Sequence, residues 1–455
     1  MKIKSINPYT EEIMAEYDLL TWEETTEKIK QSREAFSSWR ETDIKDRVEL
    51  LKKLAAVLRV NKKKYAEIIT KEMGMIIRSS TASVEKCAWL CDYYAENSEK
   101  FLSDEHIKTE NLKSFISFEP LGIVFEIMPW NFPFWQVFRQ AIPATTAGNI
   151  CLLKHASNVP QCALAIEEIF REAGYPEGIF TTLLIDSKTA MKIIDEDLID
   201  AVSLTGSNQA GEKVGELAGK RIKPMVLELG GSDPFIVLED ADIDKAVKAA
   251  VFSRTLNAGQ SCIAAKRFIV MDQVAEEFKN KFIEAISELK IGDPMDETTD
   301  MGPISKPEFV NELEIQLNDA KDKGGIISNP IEKPSKGYFF TPCAVYNTNE
   351  EMEIISEEVF GPIAPIIKVS SEEEIVRIAN NMEYGLGAAI FSEDTEKAEK
   401  LAKKIQTGTV AINDFVKSDP RLPFGGTKKS GVGRELSHYG LKEFVNVKTI
   451  VVQGK

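Results

Sequence analysis

Apolar residues recur along the chain with two different spacings, and each spacing predicts a different kind of element. Over 46–59, apolar residues stand at Val48, Leu51, Leu54, Ala55 and Leu58. A repeat of three to four residues places such side chains on one face of a helix. We therefore predict that residues 1–105 are mainly helical, after a hairpin-like Asn-Pro-Tyr-Thr turn at 7–10.

Short apolar runs alternate with amphipathic stretches over 149–231. The runs at 150–153, 178–185, 201–204 and 225–228 predict strands, and 161–173, 190–196 and 209–219 predict helices. Apolar strands separated by helices are typical of a parallel sheet that is covered on both faces. A second alternating region begins near residue 266, so the pattern predicts an α/β protein with two such sheets.

Two further segments, 114–119 and 445–451, alternate between apolar and polar residues outside both predicted sheets. An exposed strand presents unpaired backbone N–H and C=O groups. We therefore expect each segment to require a partner strand or a cover.

The composition indicates an ordinary folded protein and excludes several classes of function. The chain has 455 residues, of which 43% are apolar and 28% charged, and its net charge is −16. This acidity argues against a nucleic-acid partner, which would favour a basic face. No apolar run approaches the roughly 20 residues of a membrane-spanning helix, so no membrane contact is expected.

The cysteine and histidine residues indicate a reduced protein without a metal site. Six cysteines are scattered without a pair of C-x-x-C motifs, and the three histidines stand far apart. We therefore expect a cytoplasmic protein that has no metal ligands.

Polar residues follow several of the predicted strands at their carboxyl ends. Lys154 and Ser157 follow the first strand, Gly206 and Ser207 follow the third, and Glu228 closes the fourth. Ligands of open parallel sheets bind outside these strand ends. The turn at 206–211 could donate backbone N–H groups to a phosphate, although the chain has neither a G-x-G-x-x-G fingerprint nor a P-loop.

Cys262 and Glu228 together could carry out covalent catalysis followed by hydrolysis. Cys262 ends the Asn-Ala-Gly-Gln-Ser-Cys stretch at 257–262, and two glycines follow Glu228 at 230 and 231. A thiolate can attack a carbonyl carbon, and a carboxylate can activate the water that releases the product. The thiol alone does not establish covalent catalysis, because an unpaired cysteine is more often a small buried apolar residue.

Seven short motifs occur in order along nearly the whole chain. They lie at 129–133 (Pro-Trp-Asn-Phe-Pro), 154–157 (Lys-His-Ala-Ser), 204–207 (Leu-Thr-Gly-Ser), 227–231 (Leu-Glu-Leu-Gly-Gly), 259–262 (Gly-Gln-Ser-Cys), 358–362 (Glu-Val-Phe-Gly-Pro) and 423–426 (Pro-Phe-Gly-Gly). Together these motifs resemble the aldehyde dehydrogenase superfamily, and the short length and the run 129–139 are most similar to its compact succinate-semialdehyde dehydrogenases.

The resemblance implies the fold and the domain organisation. A Rossmann-like cofactor-binding domain would comprise 1–105 and 121–229, and an α/β catalytic domain would comprise 230–427. The segments 106–120 and 428–455 would form a small β element for oligomerisation.

The resemblance also implies a role for individual residues. Cys262 would form a thiohemiacetal, Asn131 and the Cys262 backbone N–H would donate to the oxyanion, and Glu228 would be the general base. The hydride would pass to a nicotinamide ring. Contacts with that cofactor would come from Trp130, Lys154, Ser157, Gly206, Ser207, Glu358 and Phe360.

The residue types alone leave simpler interpretations open. Asn131 could be only a turn residue, Glu228 could be a helix-cap partner, and Phe360 could be a core residue.

Ser157 favours NADP over NAD. Many NAD-using members of the family carry a glutamate at this position, which would repel a 2′-phosphate. Ser157 lacks that charge and can donate a hydrogen bond, while Lys154 adds a positive charge nearby. We therefore expect NADP as the cofactor, with NAD as the alternative.

Arg139 is the candidate for recognising a distal carboxylate on the substrate. It lies eight residues after Asn131, about two helical turns if the segment is helical, and a guanidinium can bind a carboxylate with two hydrogen bonds. A surface or interface salt bridge is an equal alternative. Trp135, Ser261 and Ser418 are further candidates for substrate binding.

The sequence thus predicts an NADP-dependent aldehyde dehydrogenase with succinate semialdehyde as the leading substrate. One alternative is a dehydrogenase of broader specificity for short aldehydes. Another is a cysteine-dependent hydrolase or acyl-transferase, which would need a histidine that no motif places beside Cys262. We also expect a homodimer or homotetramer, because the segments 114–119 and 445–451 require strand partners.

Overall fold

The computed structural model describes residues 2–328 and 331–454, and its N-terminal part has the predicted hairpin and helices. The hairpin joins β1 (Lys2–Ile6) to β2 (Ile13–Asp18) in an antiparallel pair. The helices that follow are α1 (Trp22–Trp39), α2 (Ile44–Val60), α3 (Lys62–Met73) and α4 (Ile77–Phe101). Thr21 and Glu24 form a capping box that fixes the start of α1. The apolar face predicted for 46–59 is buried on α2, which confirms the helical period.

The next elements alternate between strand and helix, as the apolar runs predict. They are β3 (Glu105–His106), β4 (Lys113–Pro120), β5 (Ile123–Met128), α5 (Pro133–Thr146), β6 (Ile150–His155), α6 (Pro160–Glu172), β7 (Phe180–Thr182), α7 (Ser187–Asp195), β8 (Ala201–Thr205), α8 (Asn208–Lys220) and β9 (Met225–Glu228). The sequence did not predict β5, whose apolar run is interrupted by the buried Glu126.

Strands β5 to β9 form a parallel sheet in the order β9-β8-β5-β6-β7. The chain runs from β5 outward through β6 and β7 and then returns to β8 on the other side of β5. The strand order therefore reverses between β5 and β8. In open parallel sheets the ligand crevice lies at the carboxyl ends of the strands beside such a reversal.

The remaining elements build a second sheet and a C-terminal strand. They are β10 (Asp233–Val237), α9 (Ile243–Thr255), β11 (Ala265–Met271), α10 (Asp272–Ser287), α11 (Pro307–Asp322), β12 (Ile326–Ser328), β13 (Cys343–Tyr346), α12 (Glu353–Ser356), β14 (Ile363–Val369), α13 (Glu372–Asn380), β15 (Tyr384–Gly385), β16 (Gly387–Phe391), α14 (Thr395–Ala402), β17 (Thr409–Ile412), β18 (Thr427–Lys428), β19 (Gly431–Val432), α15 (Ser437–Lys442) and β20 (Val445–Val452).

The second sheet has seven strands in the order β12-β13-β14-β11-β10-β16-β17. Its strands are parallel except for β12, which runs antiparallel to β13. Helices α9 and α10 cover one face of it with a buried cluster that includes Phe235, Phe268 and Phe278. The structure is thus of the predicted α/β class, with two mainly parallel sheets.

The two alternating segments pair with each other within one chain. They therefore do not each require a partner strand from a second chain. β20 lies antiparallel to β4 from Val445 opposite Pro120 to Val452 opposite Lys113, and β3 lies on the other side of β4. β4 therefore has both neighbours within its own chain. In the described residues the outer edge of β20 has no strand beside it, so this eight-residue edge requires a cover.

The small strand β19 comes from the segment assigned to oligomerisation but joins the first sheet. It pairs antiparallel with β9, with Gly431 opposite Glu228. The C-terminal region thus contributes directly to the surroundings of Glu228, while the domain boundaries stay a prediction.

No helix in the described part of the chain is both long enough and apolar enough to cross a membrane.

Candidate active site

The loops that carry the predicted catalytic residues meet at the strand ends of the first sheet. Asn131 follows β5, Glu228 ends β9, and Cys262 lies between a short 3₁₀ helix (Leu256–Gly259) and β11. The Asn131 Nδ2 atom donates to the Gln260 backbone oxygen (3.1 Å), and Asn257 Nδ2 donates to the Asn131 backbone oxygen (2.8 Å). These hydrogen bonds hold the Asn131 amide against the loop that carries the thiol.

The loop before Cys262 contains a strained left-handed turn. Asn257, Ala258 and Gly259 have φ angles of 53°, 53° and 76°, and alanine rarely adopts such a conformation. A Cβ atom on Gly259 would lie 2.4 Å from the carbonyl carbon of Gly361. Glycine is therefore required at 259, and the tight packing holds the turn in place.

Among the cysteines, Cys262 is half-buried and the other five are buried. Burial raises the pKa of the Cys262 thiol to about 11, while the positive charges of Arg139 and Lys266 lower it. The Lys266 Nζ atom donates to the backbone oxygens of Ser261 (2.8 Å) and Cys262 (2.6 Å). At neutral pH the thiol is therefore mostly protonated, and the reaction must remove its proton.

Glu228 is a buried carboxyl group with a strongly perturbed pKa. Burial raises its pKa well above the usual range, the neighbouring Glu435 raises it further, and Arg139 lowers it. In the described residues its Oε1 atom has no hydrogen-bond partner. A Cβ atom on Gly425 would lie 2.8 Å from that oxygen, so glycine at 425 leaves room for the carboxyl group. A carboxyl group whose pKa lies well above the usual range is suited to accept a proton.

Arg139 forms a buried salt bridge within the chain, whereas the alternative to substrate binding was a salt bridge at the surface or at an interface. Its Nε atom contacts the carboxylate of Glu435, and the two side chains are 2% and 0% exposed. Its Nη2 atom also donates to Thr205 Oγ1 (3.4 Å), and the guanidinium lies 4.8 Å from the centroid of the Phe424 ring. The predicted carboxylate grip is corrected in part, because this guanidinium already has a carboxylate partner. Contact with a substrate stays a prediction.

A cavity of about 240 Å³ opens beside the thiol. Its walls include the predicted substrate residues Trp135, Arg139, Ser261 and Ser418, together with Cys262. Sites for drug-sized ligands usually have volumes of about 300–1,000 Å³. The cavity therefore suits a small substrate whose carbonyl group reaches Cys262.

Sequence reasoning did not find Lys86, which lies in the same wall. Its Nζ atom donates to Ser418 Oγ (2.8 Å) and lies 4.2 Å from the centroid of the Trp135 ring. The signal that could have identified it is a row on α4 in which Ser79, Ala82, Ser83 and Lys86 follow helical spacing and line the cavity. Of these four residues only Ser83 is buried, so the row indicates a face of α4 that borders an opening rather than the core.

The residues assigned to a cofactor phosphate lie at the ends of β6 and β8. Gly206 donates its backbone N–H to the backbone oxygen of Glu228 (2.9 Å). This N–H is therefore not available to bind a phosphate, although the sequence of the turn suggested it. Ser207 caps α8 by accepting from the Ala210 N–H (3.3 Å), and the first N–H groups of α8 have no partner within the helix. Lys154 is half-buried and Ser157 is exposed. Helix N–H groups, an ammonium and a hydroxyl form a donor set that fits the phosphates of a dinucleotide.

The residues assigned to the nicotinamide end form one connected group. Glu358 Oε1 accepts from the Gly231 N–H (3.1 Å) and lies 3.2 Å from Lys266 Nζ. A Cβ atom on Gly230 would lie 2.4 Å from Glu358 Oε2, so a larger residue there would displace the Glu358 carboxylate. Lys266 thus links Glu358 to the backbone of the Cys262 loop.

Two aromatic rings flank Trp130 near this group. Phe360 lies edge-on to Trp130 at 5.8 Å, and Phe309, which sequence reasoning did not identify, stacks on it at 5.0 Å. Contact of Trp130 and Phe360 with a cofactor stays a prediction.

Within the described residues, no group of three or more His, Cys, Asp and Glu side chains could hold a metal ion.

The fold is that of an α/β enzyme with a dinucleotide-type sheet, and a candidate cysteine nucleophile lies at the strand ends of this sheet. The sequence pattern of the aldehyde dehydrogenase family matches residues 1–450. The chain belongs to the aldehyde dehydrogenase family.

Individual relatives carry more specific names. The chain is 45% identical over 453 residues to a probable succinate-semialdehyde dehydrogenase (NADP(+)) of Synechocystis sp., covering 99% of each chain. It is 43% identical over 450 residues to the succinate semialdehyde dehydrogenase (NAD(P)+) Sad of Escherichia coli K12, covering 98% of this chain and 97% of that one.

Solved structures share the whole fold. The succinic semialdehyde dehydrogenase of Streptococcus pyogenes, determined in complex with NADP+, has a TM-score of 0.97 and 37% identity to this chain. The match covers 99% of this chain and 100% of that one.

Proposed function

We propose that the protein oxidises succinate semialdehyde to succinate and uses NADP as the hydride acceptor. The observation that carries this proposal is the small cavity beside Cys262, whose walls include Lys86, Arg139 and Lys417 and no carboxylate among the described residues. A cavity of this charge favours a substrate with a carboxylate. The names of the relatives from Synechocystis and Escherichia coli agree with this substrate.

The chain's own residues account for attack on the aldehyde. The Cys262 thiol loses its proton and its Sγ atom forms a bond to the carbonyl carbon. The developing oxyanion accepts hydrogen bonds from the Asn131 amide and the Cys262 backbone N–H. In the described residues that N–H has no other acceptor, which leaves it available.

The second half of the reaction releases the acid. When bound, the nicotinamide nucleotide supplies the hydride acceptor that turns the adduct into a thioester. Glu228 then takes a proton from water, the resulting hydroxide attacks the thioester carbon, and the bond from that carbon to Sγ breaks. One aldehyde, one water and one oxidised nucleotide thus yield one carboxylate, one reduced nucleotide and two protons.

The donors around the strand ends support NADP over NAD. Ser157 presents an exposed hydroxyl that, in the described residues, makes no hydrogen bond. Lys154 lies three residues earlier, near the end of β6, and burial lowers the pKa of its ammonium. A 2′-phosphate beside Ser157 would accept from the hydroxyl and favour the charged form of Lys154.

Two alternatives remain as comparisons. A dehydrogenase of broader specificity would use the same thiol, and a relative from Paenarthrobacter nicotinovorans, 40% identical, is named only aldehyde dehydrogenase. A cysteine hydrolase would require a histidine beside the thiol. Both ring nitrogens of His155 instead contact backbone oxygens, those of Met128 (3.2 Å) and Pro133 (2.9 Å), which is unfavourable for that role.

Cytoplasmic location and a homodimer or homotetramer are also part of the proposal. The six free cysteines are consistent with a reducing compartment. The outer edge of β20, with Val447 and Val451 exposed, supports pairing with a second copy of the chain.

A panel of aldehydes tests the proposed function. Succinate semialdehyde and butanal are oxidised with NADP and with NAD, and kcat/KM is measured from the absorbance of the reduced nucleotide. We expect the highest value for succinate semialdehyde with NADP, and no turnover in Cys262→Ser, which has no thiol. A higher kcat/KM for butanal would refute the substrate, and a higher value with NAD would refute the cofactor.

A further inference from the structure

We propose that Lys86 binds the distal carboxylate of the substrate. This inference rests on the proposed function, because it assumes an aldehyde that carries a carboxylate. It assigns the recognition of that group to a lysine on α4 rather than to Arg139.

The contacts of Lys86 leave its ammonium able to bind a ligand. Its Nζ atom donates one hydrogen bond, to Ser418 Oγ (2.8 Å), and an ammonium has three N–H donors. Trp135 Nε1 donates to the same oxygen (3.1 Å), so Ser418 holds the lysine and the indole together. The ammonium, the hydroxyl and the indole all lie in the wall of the cavity that contains Cys262.

Charge pairing distinguishes Lys86 from the other cations of the cavity wall. Arg139 is paired with Glu435, and Lys417 is paired with Asp414. Within the described residues Lys86 has no carboxylate within salt-bridge distance. Burial and the positive charge of Arg139 lower the pKa of its ammonium to about 8, while the more distant carboxylate of Asp419, which is paired with Arg421, raises it in part.

An entering carboxylate would satisfy this ammonium. A buried charge without a partner is costly, and a carboxylate that also enters the cavity is costly on its own. When the two meet, each supplies the partner that the other lacks, with a charge-assisted hydrogen bond. An uncharged aldehyde of the same length gains nothing from the ammonium, so Lys86 would discriminate between the two.

A purely structural role for Lys86 makes a different prediction. In that case the lysine would serve only to orient Trp135 and Ser418, and its removal would disturb the cavity for every aldehyde. If Lys86 binds the carboxylate, its removal lowers activity toward the charged substrate only. If its role is structural, its removal lowers activity toward charged and uncharged substrates alike.

The experiment removes the charge of Lys86 while keeping the approximate length of its side chain. Lys86→Met is compared with the wild-type enzyme by kcat/KM for succinate semialdehyde and for butanal. We expect a loss of about 10–100-fold for succinate semialdehyde, mainly through KM, because a hydrogen bond to a charged group contributes about 1.5–3 kcal/mol. Butanal should change by less than about threefold, since it makes no such bond.

Two further variants serve as controls. Lys417→Met removes a positive charge from the same cavity wall, but its ammonium is paired and its side chain is 58% exposed, so we expect a much smaller loss. Lys86→Arg keeps the charge and should retain the preference for the aldehyde acid. If Lys86→Met does not fold, Lys86→Gln replaces it, because its amide can still donate to Ser418.

A binding measurement separates recognition from turnover. Calorimetric titration with succinate, against butyrate as the control, is made on full-length Cys262→Ser with and without Lys86→Met. We expect succinate binding to weaken by about tenfold or more in the double variant.

The outcomes distinguish the two proposals. A wild-type enzyme without preference for succinate semialdehyde over butanal overturns both the proposed function and this inference. A wild-type enzyme with that preference, together with equal losses for both substrates or unchanged succinate binding in Lys86→Met, overturns the role of Lys86 alone.

Discussion

Replacing Arg139 with methionine should destabilise the protein and weaken its activity toward every aldehyde. The expectation follows from the salt bridge with Glu435, which is almost completely buried. Methionine keeps the apolar stem of the side chain and removes the charge. Glu435 then has no cation to offset its burial, and Glu228 loses the same positive charge.

The size of the effect depends on pH in a direction that the structure fixes. Removing one partner of a buried ion pair costs about 3–5 kcal/mol. Burial already raises the pKa of Glu435 to about 6, and Arg139 lowers it, so the pKa must rise further in the variant. A rise of about two units costs about 2.7 kcal/mol once the carboxyl group must ionise.

The sign of this pH dependence follows from the protons bound in the folded and in the unfolded state. With a raised pKa, the folded state holds its proton at pH values where the unfolded state has lost it, so stability falls as pH rises. Below about pH 5 the carboxyl group of Glu435 is largely protonated in the folded wild type and in the folded variant, and Arg139 contributes little. The destabilisation should therefore be small there and largest above about pH 8.

Urea unfolding at about pH 5 and about pH 8.5 measures this dependence. The matched control is the double variant Arg139→Met with Glu435→Gln, which removes both charges and should recover much of the loss at high pH. In kinetics, Arg139→Met should lower kcat for butanal and for succinate semialdehyde alike, and shift the pH–rate profile to higher pH, because the pKa of Glu228 rises.

One result would refute this reasoning. If Arg139→Met unfolds like the wild type at both pH values and loses kcat/KM only for succinate semialdehyde, Arg139 binds the substrate. The first interpretation of the sequence would then be correct, and the salt bridge would be incidental.

Three other substitutions or deletions test further parts of the site. Glu228→Gln should give a burst of reduced nucleotide, close to one per active site, followed by a slow steady state, because the amide cannot take a proton from water; an unchanged steady-state rate would exclude Glu228 as the base. Ser157→Glu should raise kcat/KM with NAD relative to NADP, since a carboxylate repels a 2′-phosphate, and an unchanged ratio would place cofactor choice elsewhere. Deleting residues after Asn446 removes most of β20 and should yield monomers or aggregate in sedimentation, whereas a monomeric full-length protein would contradict the proposed assembly.

The periodic parts of the fold could be predicted from the sequence because they depend on local spacing. The apolar runs identify strands β6, β8 and β9, and the residues that follow them lie at the predicted edge of the sheet. Glu228, Lys154 and Ser207 could be located in this way without knowledge of any contact. The rule needs only that parallel strands end at the same edge.

The contacts that decide charge could not be predicted, because they join distant parts of the chain. Arg139 on α5 pairs with Glu435 shortly before α15, and no spacing rule relates the two residues. The pairing of β20 with β4 could not be predicted either. An alternating segment requires a partner strand, but the pattern does not identify which strand that is. Lys86 was not recognised because a lysine on a helix is usually exposed, and only the packing of α4 against α5 places it in a cavity.

Two buried cations, Arg139 and Lys266, lie near the thiol, a third, the half-buried Lys86, lies in the wall of the same cavity, and their partners assign them different tasks. Lys266 binds the backbone oxygens of Ser261 and Cys262 and also contacts Glu358, so its charge holds the loop and the cofactor side of the site together. Arg139 offsets Glu435, and its charge lowers the pKa of Glu228, which burial and Glu435 raise. Lys86 alone has only a hydroxyl and an indole as partners. A cation that the protein leaves without an anion, in a cavity that ends at the nucleophile, is best explained by an anion that arrives with the substrate.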